Sequence, residues 1–410
     1  MNDTNSFALD AIRAQFPMLG KTMNGKPLCY LDSAATSLKP DRVVDRLSRF
    51  YREEYATVRR GAYALSHAST AMFEAARVSA ARFIGASRPE EVVFVRGCTE
   101  GINLVAIALG WSRFKPGDEI LVSTMEHHSN IVPWQLVASR TGAVVKPIPI
   151  TDTGELDLDA YRALLSPRTR LVSIVHVSNG LGTVNPVTEV TRLAHEAGAL
   201  VLVDGAQSTP HMPIDVQAIG CDFFVASGHK MYGPTGIGLL YGRYDLLASM
   251  DPYQGGGEMI DRVSFDGTTY DDPPHRFEAG TPAFAQAIGL AESIAWLEEL
   301  GMDQVHARGQ EILRYATERM QALPGLQIVG EAREKSGLVS FVVDGIHPSD
   351  IGAILDQEGI AIRVGQHCVQ PIMDRFGIHS TARASFGVYT SEAEIDRFID
   401  GLHVVRDMLL

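Results

Sequence analysis

The chain is short of cysteine, has no excess of basic residues, and contains no long apolar run, and each shortage removes a class of function. Its four cysteines (Cys29, Cys98, Cys221, Cys368) form no Cys-x-x-Cys pair and no cysteine–histidine cluster at zinc spacing. His127-His128 is an adjacent pair rather than an i, i+4 pair, so no metal site is expected. Lys and Arg number 36 against 49 Asp and Glu, a formal charge of −13, which is the wrong sign for a nucleic-acid partner. Runs such as Leu200–Val203 are far too short to span a bilayer. Met1-Asn2-Asp3-Thr4-Asn5 lacks the basic and apolar regions of a secretory signal. Free thiols suit a reducing compartment, so the expectation is a cytoplasmic protein without membrane association. No repeat or low-complexity tract is present. No Gly-x-Gly-x-x-Gly turn opens the first strand–helix unit, which argues against a nicotinamide dehydrogenase.

What is present is the material of a sizeable core. Apolar residues make up 45% of 410 residues and charged residues 21%, enough for two or three domains or one large domain with a satellite. Short β-branched runs alternate with longer amphipathic segments, which predicts an α/β fold with a mainly parallel sheet. Seven strands are expected: Val92–Val95, Ile120–Thr124, Val144–Pro149, Leu171–Val177, Leu200–Asp204, Phe223–Ala226 and Ile237–Tyr241. Helices are expected at Ala71–Phe83, Glu100–Leu109, Ile131–Arg140, Leu158–Leu164 and Val187–Ala197. After Tyr241 the rhythm breaks, and Gln254-Gly255-Gly256-Gly257-Glu258 and Asp271-Asp272-Pro273-Pro274 bracket a stretch read as irregular. A helix-rich stretch follows from about Ala285. From Leu326 the pattern becomes that of a smaller α+β domain.

The most informative residues are Lys230, in Ser227-Gly228-His229-Lys230-Met231-Tyr232-Gly233-Pro234, and Asp204, closing the run Leu200–Val203. An ammonium on a tight turn between two buried strands is costly to desolvate. A lysine that forms a Schiff base with an aldehyde escapes that cost, and a carboxylate on a neighbouring strand can hold the pyridinium nitrogen of pyridoxal 5'-phosphate (PLP). An anionic Asp204 would keep that nitrogen protonated and the ring able to accept electrons.

Several segments in order resemble the PLP-dependent cysteine desulfurases, within the class V aminotransferases. They are Glu126-His127-His128-Ser129-Asn130, Val203-Asp204-Gly205-Ala206-Gln207, the Lys230 segment, Arg363-Val364-Gly365-Gln366-His367-Cys368 and Arg383-Ala384-Ser385-Phe386. The short Gly-Gln-His-Cys segment is similar to the SUF/CSD-type (SufS-like) class. The resemblance implies a type I PLP-dependent transferase fold. This would comprise a mainly parallel seven-stranded sheet in a large domain (31–284), a smaller α+β C-terminal domain (285–410) carrying Cys368, and an N-terminal segment (1–30) packing on the small domain. It implies that Thr99, Ser227 and His229 contact the cofactor phosphate, and that Thr281 reaches the phosphate of the facing subunit in a homodimer. It also implies that His127 stacks on the pyridine ring and shuttles a proton, and that Gln207 bonds the phenolic oxygen. Asn179 would reach either the cofactor hydroxyl or the substrate carboxylate.

Cys368 is expected to be the nucleophile: its neighbours are Gly, Gln and His rather than an apolar run, and Arg363 and His367 are expected to favour its thiolate. Cys29 and Cys221 are read as structural. Cys98 is read as lying beside the cofactor without chemistry. Arg383, on an alternating strand-like segment, suits a substrate carboxylate, and Arg363 is either a second such group or a support for the nucleophile loop. Arg59-Arg60-Gly61 departs from the family pattern, with Arg59 where a histidine is usual. The function expected is conversion of L-cysteine to L-alanine with a persulfide on Cys368, the sulfur passing to an acceptor protein of SufE or SufU type for iron–sulfur cluster assembly or other sulfur metabolism. The rivals are a selenocysteine lyase acting on L-selenocysteine, another type I PLP enzyme such as an aminotransferase or epimerase in which Cys368 is incidental, and a PLP-fold binding or regulatory protein without turnover.

Overall fold

The computed structural model describes residues 7–410. The expectation of no leader at Met1–Asn5, and the first six residues of the expected N-terminal segment, lie outside the described residues. Seven strands form the large sheet: β1 (Val92–Val95), β2 (Glu119–Ser123), β3 (Val144–Ile148), β4 (Thr169–Val175), β5 (Leu200–Asp204), β6 (Phe223–Ser227) and β7 (Gly238–Gly242). Their order is β1-β7-β6-β5-β4-β2-β3. All neighbours pair parallel except β7, which runs antiparallel to both β6 and β1. Strands β1, β2, β4, β5 and β6 therefore all point the same way. The strands β2 and β6 are buried throughout, as apolar runs covered on both faces should be.

The crossover helices come from the amphipathic segments: α1 (Ala64–Phe83), α2 (Cys98–Val105), α3 (Val132–Thr141), α4 (Leu158–Leu164) and α5 (Val187–Glu196). Helix α1 begins seven residues before the expected start, because its first turns hold Ser66 and Ser69 buried rather than an apolar stripe. The stretch read as irregular contains a hairpin, β8 (Ile260–Ser264) and β9 (Gly267–Tyr270). Almost every hairpin residue is exposed, so the half-buried alternation that betrays a strand is missing. The turn pair Asp266-Gly267 was the available signal.

Helix α6 (Phe284–Leu300) sends Ile288, Leu290, Ile294 and Leu297 into the hydrophobic cluster that includes α1 and one face of the large sheet. Helix α7 (Met302–Gln321) crosses between cores: Val305 belongs to that cluster, whereas Ile312, Leu313 and Ala316 join a second one. The second cluster lines a four-stranded antiparallel sheet of order β10-β11-β13-β12, with β10 (Leu326–Val329), β11 (Leu338–Val343), β12 (Arg363–Gly365) and β13 (Thr381–Ser385). Helices α8 (Pro348–Gln357), α9 (Gln370–Phe376) and α10 (Glu392–Leu409) accompany it. The short segment Cys29–Tyr30 pairs parallel with Ile360–Ala361 beside this sheet. Further back along the chain, Phe16 packs edge-on against Trp296 of α6 and against Tyr389, at 5.6 and 4.8 Å between ring centroids, while Arg13 pairs with Glu394 at 2.6 Å. The N-terminal stretch thus ties α6 to the segment leading into α10.

Candidate active site

Because β1, β2, β4, β5 and β6 run in one direction, their carboxyl ends open on a common edge, where open α/β sheets gather ligands. Each end delivers a residue singled out above: Thr99 after β1, His127 after β2, Asn179 after β4, Asp204 and Gln207 at and after β5, and Ser227, His229 and Lys230 at and after β6. Cys368 and the two arginines arrive from the smaller sheet. Eleven of the twelve expected site residues line one cavity of about 220 Å³: Thr99, His127, Asn179, Asp204, Gln207, Ser227, His229, Lys230, Arg363, Cys368 and Arg383. Thr281 does not. It is exposed on a separate surface cavity beside Phe94 and Tyr253.

Lys230 ends a single 3-10 turn, Gly228–Lys230, that follows β6 directly. Desolvation lowers its ammonium from the ordinary lysine range, with Asp204 opposing. The same burial raises the Asp204 carboxyl, which the Ala206 N–H and Lys230 partly offset; Ala206 N donates to Oδ1 at 2.9 Å. Each group is therefore strained by burial, and a pyridinium N–H at Asp204 with an imine at Lys230 would satisfy both. At the start of α2, Gly97 has φ +152°, a conformation open to glycine, and a Cβ there would approach Ser227 Oγ to 3.1 Å. Ser227 Oγ accepts from Cys98 N at 2.9 Å. Hydroxyls of Thr99 and Ser227 beside a helix N-terminus suit a phosphate. The residues present fit PLP.

His127 is held by its neighbour, since Ser129 N donates to His127 Nδ1 at 3.1 Å. Nδ1 is thus an acceptor and the proton of the neutral ring lies on Nε2. Burial and Lys230 bring its pKa down to about 4. Beneath it lies Glu126, fully buried, accepting from Asn130 Nδ2 at 2.6 Å and Val175 N at 2.9 Å. Desolvation pushes that carboxyl up to about 8, so it is held as a neutral acid at neutral pH.

Arg363 and Arg383 stand directly opposite each other on β12 and β13, a like-charge pairing that repels. Asp32 resolves it, meeting Arg383 at 3.4 Å and Arg363 at 3.7 Å. Arg383 also donates to the Asn179 carbonyl at 2.8 Å. Burial draws its guanidinium down to about 10, against the pull of Asp32. Three buried polar atoms here have no partner: Arg383 Nε, Asn179 Oδ1 and His367 Nδ1. An unpaired buried donor costs free energy, and a substrate carboxylate would relieve the one on Arg383. Asp32 escaped notice in the sequence. Its signal was an acid closing the short apolar run Cys29–Leu31, but its partners lie over 300 residues away.

Of the four cysteines, Cys29, Cys98 and Cys221 are buried and Cys368 is exposed. Cys98 lies beside Asp204, and burial raises its thiol well above the ordinary value, so it stays protonated. Cys368 follows β12 on a loop where His367 and Cys368 both have left-handed backbones, φ +52° and +57°. Such residues cost roughly 1–3 kcal/mol each and persist only where surroundings hold them. One expectation is corrected here. His367 is buried, bonds Thr381 Oγ1 at 2.9 Å and has its pKa drawn down to about 3 by desolvation, so it is neutral and offers no positive charge to a thiolate. Arg363, Arg383 and Lys230 are the cations that line the cavity with Cys368, and the Arg383 guanidinium feels the Cys368 charge. Arg59, at the departure from the family pattern, does not line the cavity and pairs with buried Glu278 at 2.9 Å. Among the described residues no group is placed to hold a metal ion, and no helix is long and apolar enough to cross a membrane.

Residues 29–398 match the family model for aminotransferase class V. A cysteine desulfurase of Dickeya dadantii is 49% identical over 98% of both chains. A probable cysteine desulfurase of Mycobacterium leprae is also 49% identical, over 96% of this chain, although that alignment spans only 64% of the relative's length. Among solved structures, a cysteine desulfurase from Escherichia coli in an S-sulfonic acid form superposes with a TM-score of 0.92 at 39% identity, covering 99% of this chain and 100% of that one.

Proposed function

This chain belongs to the class V aminotransferase family, among its PLP-dependent cysteine desulfurases, and from that premise we propose that it takes sulfur from L-cysteine onto Cys368 and leaves L-alanine. The observation that carries the reading is that Lys230 and Cys368 face one cavity, while Cys368 alone of the four cysteines also meets solvent. When bound, PLP supplies an electron sink for the carbon skeleton of the amino acid.

The residues of this chain do the rest. Arg383 grips the substrate carboxylate and Asn179 orients it. Asp204 would hold the pyridine nitrogen of the cofactor, and Thr99, Ser227 and His229 would hold its phosphate. Lys230, whose ammonium is destabilised by burial, is available as a neutral amine to take the proton from the substrate α-carbon. The Cys368 thiolate attacks the substrate sulfur: an S–S bond forms, the carbon–sulfur bond breaks, and its electron pair stays with the β-carbon. Protons at the α- and β-carbons then complete alanine. His127, neutral with its proton on Nε2, delivers one of them. Cysteine and a thiol thus become alanine and a persulfide, with no other oxidant or reductant.

The exposure of Cys368 supports onward transfer to an acceptor protein of SufE or SufU type, feeding a reaction that consumes persulfide sulfur such as iron–sulfur cluster assembly. The position of Thr281, exposed and outside its own chain's cavity, supports a homodimer in which it completes the partner's phosphate site. The test is to quantify alanine and sulfide from L-cysteine with wild-type protein and Cys368→Ser, and to map the added sulfur by mass. Equal amounts of alanine from both proteins, with no sulfur on the Cys368 peptide, would overturn the reading. Turnover confined to L-selenocysteine would shift it to a lyase.

A further inference from the structure

Two consecutive residues of the nucleophile loop adopt left-handed backbones although neither is glycine, so something must hold them there. The loop's own sequence supplies little: Val369 N donates to the Gln366 carbonyl at 2.9 Å. The remaining restraints come from the large sheet. Asn179 Nδ2 donates to the His367 carbonyl at 2.8 Å. His128 acts twice: its backbone N–H donates to the Cys368 carbonyl at 2.8 Å, and its ring Nε2 accepts from the Gln370 N–H at 3.2 Å. The Gln370 amide opens α9 and has no partner within that helix. His128 thereby holds the peptide groups on both sides of Val369 and stops the start of α9 from drifting.

We propose that His128 is a positioning residue that latches the Cys368 loop to the segment carrying His127. The proposal rests on the reading of Cys368 as the sulfur acceptor. His128 does not itself line the cavity; it acts by fixing the direction from which the Cys368 thiolate approaches the substrate sulfur. Through it, His127, one residue away on one side, and Cys368, bonded at its carbonyl on the other, share one short connection.

The test uses the PLP-loaded protein in three variants. His128→Phe keeps the ring and loses the acceptor. His128→Ala loses both. His128→Gln restores an acceptor near the Nε2 position. The backbone bond to the Cys368 carbonyl survives in all three, so the ring bond alone is at stake, and a neutral hydrogen bond of that kind corresponds to about a fivefold to tenfold effect. The expected result is a kcat for sulfur release about fivefold to tenfold lower in the Phe and Ala variants, with KM and the visible spectrum of the bound cofactor unchanged. Hydrogen exchange at Gln370 should accelerate by a similar factor while exchange in β5 and β6 stays as in wild type. The Gln variant should recover both. Unchanged kcat and unchanged exchange at Gln370 in the Phe variant would overturn the proposal. So would a Gln variant as impaired as the Ala variant, or a shifted cofactor spectrum, either of which would place His128 in the general scaffold. The exchange measurement decides the latch even if wild-type protein were to form no persulfide, a failure that would belong to the functional reading instead.

Discussion

The turn that carries Lys230 and the loop that carries Cys368 face the same cavity but are built in opposite ways. The carbonyl of His229, which precedes Lys230, accepts from Lys39 Nζ at 2.7 Å and from Ser37 N, Ser37 Oγ and Thr36 Oγ1 at 3.1 Å each. Gly228 N is tied to Ile237 and Gly233 N to the Gly228 carbonyl, at 2.9 and 3.0 Å. Few conformations remain for that lysine. Cys368 sits on an exposed loop in a strained backbone, restrained by His128 and Asn179. The difference follows from the work proposed for each. A lysine that is to bear a cofactor has one place to be, buried where its ammonium is disfavoured. A sulfur-carrying cysteine must meet a substrate within the cavity and an acceptor outside it, so burial would defeat it.

The largest expected effect breaks the first half of that contrast. Lys230→Ala should lower cysteine turnover by about 10²–10⁴-fold, the range for a lost acid–base group. Borohydride reduction and peptide mapping should find the cofactor bound covalently at Lys230 in wild type and at no residue of the variant. Cys368→Ser breaks the second half: sulfur release from L-cysteine should fall to background while the cofactor spectrum is retained. Because the side chain is exposed, unfolding by denaturant should show a stability change within about 0.5 kcal/mol. A comparable loss of cofactor in both variants would mean the two segments are not separable.

Acid sharpens the comparison, since each segment contains a histidine held neutral by burial. His229 and His127 titrate at about 4 and His367 at about 3, against an ordinary value near 6.5. Between pH 6.5 and those values the unfolded chain binds more protons, so stability falls as pH drops through that window. The cofactor-free protein should lose about 2 kcal/mol or more between pH 6.5 and 4, measured by urea unfolding. Replacing His367 with Gln should flatten that slope. An unchanged slope would mean His367 is not held neutral. The smallest effect concerns Lys39→Met. Three other donors remain on the His229 carbonyl, so the expected loss of stability is about 1 kcal/mol, with Lys230 still carrying the cofactor. Displacement of the cofactor absorbance would show instead that the lysine turn depends on this single contact.

How much of this was legible in the chain varied with the range of the forces involved. Local hydrophobic runs located all seven strands of the large sheet to within about two residues: the inner strands must be apolar along their length because both faces are covered, and the more exposed edge strand β3 still shows its valine pair. The hairpin β8–β9 was missed because solvent on both faces leaves no pattern. The Lys230 and Asp204 readings came from chemistry that is expensive anywhere but in a cofactor site. The neutrality of His367 was not legible, since it depends on desolvation by elements far away in the chain. Nor was the role of Asp32, whose two arginines come from opposite strands of another sheet.

By itself, then, the sequence determined the alternation of strands and helices in the large sheet, and it singled out the groups proposed to bind a pyridine ring, a phosphate and a carboxylate, with Cys368 set apart from the other cysteines by its polar neighbours. Those properties live in single residues and their immediate neighbours. Tertiary structure decided the rest: that five strand ends share one edge, that Asp32 reconciles Arg363 with Arg383, and that His128 reaches across 240 residues to hold the loop of Cys368. Directional hydrogen bonds and burial exist only once distant segments meet, and no local pattern records which segments those will be.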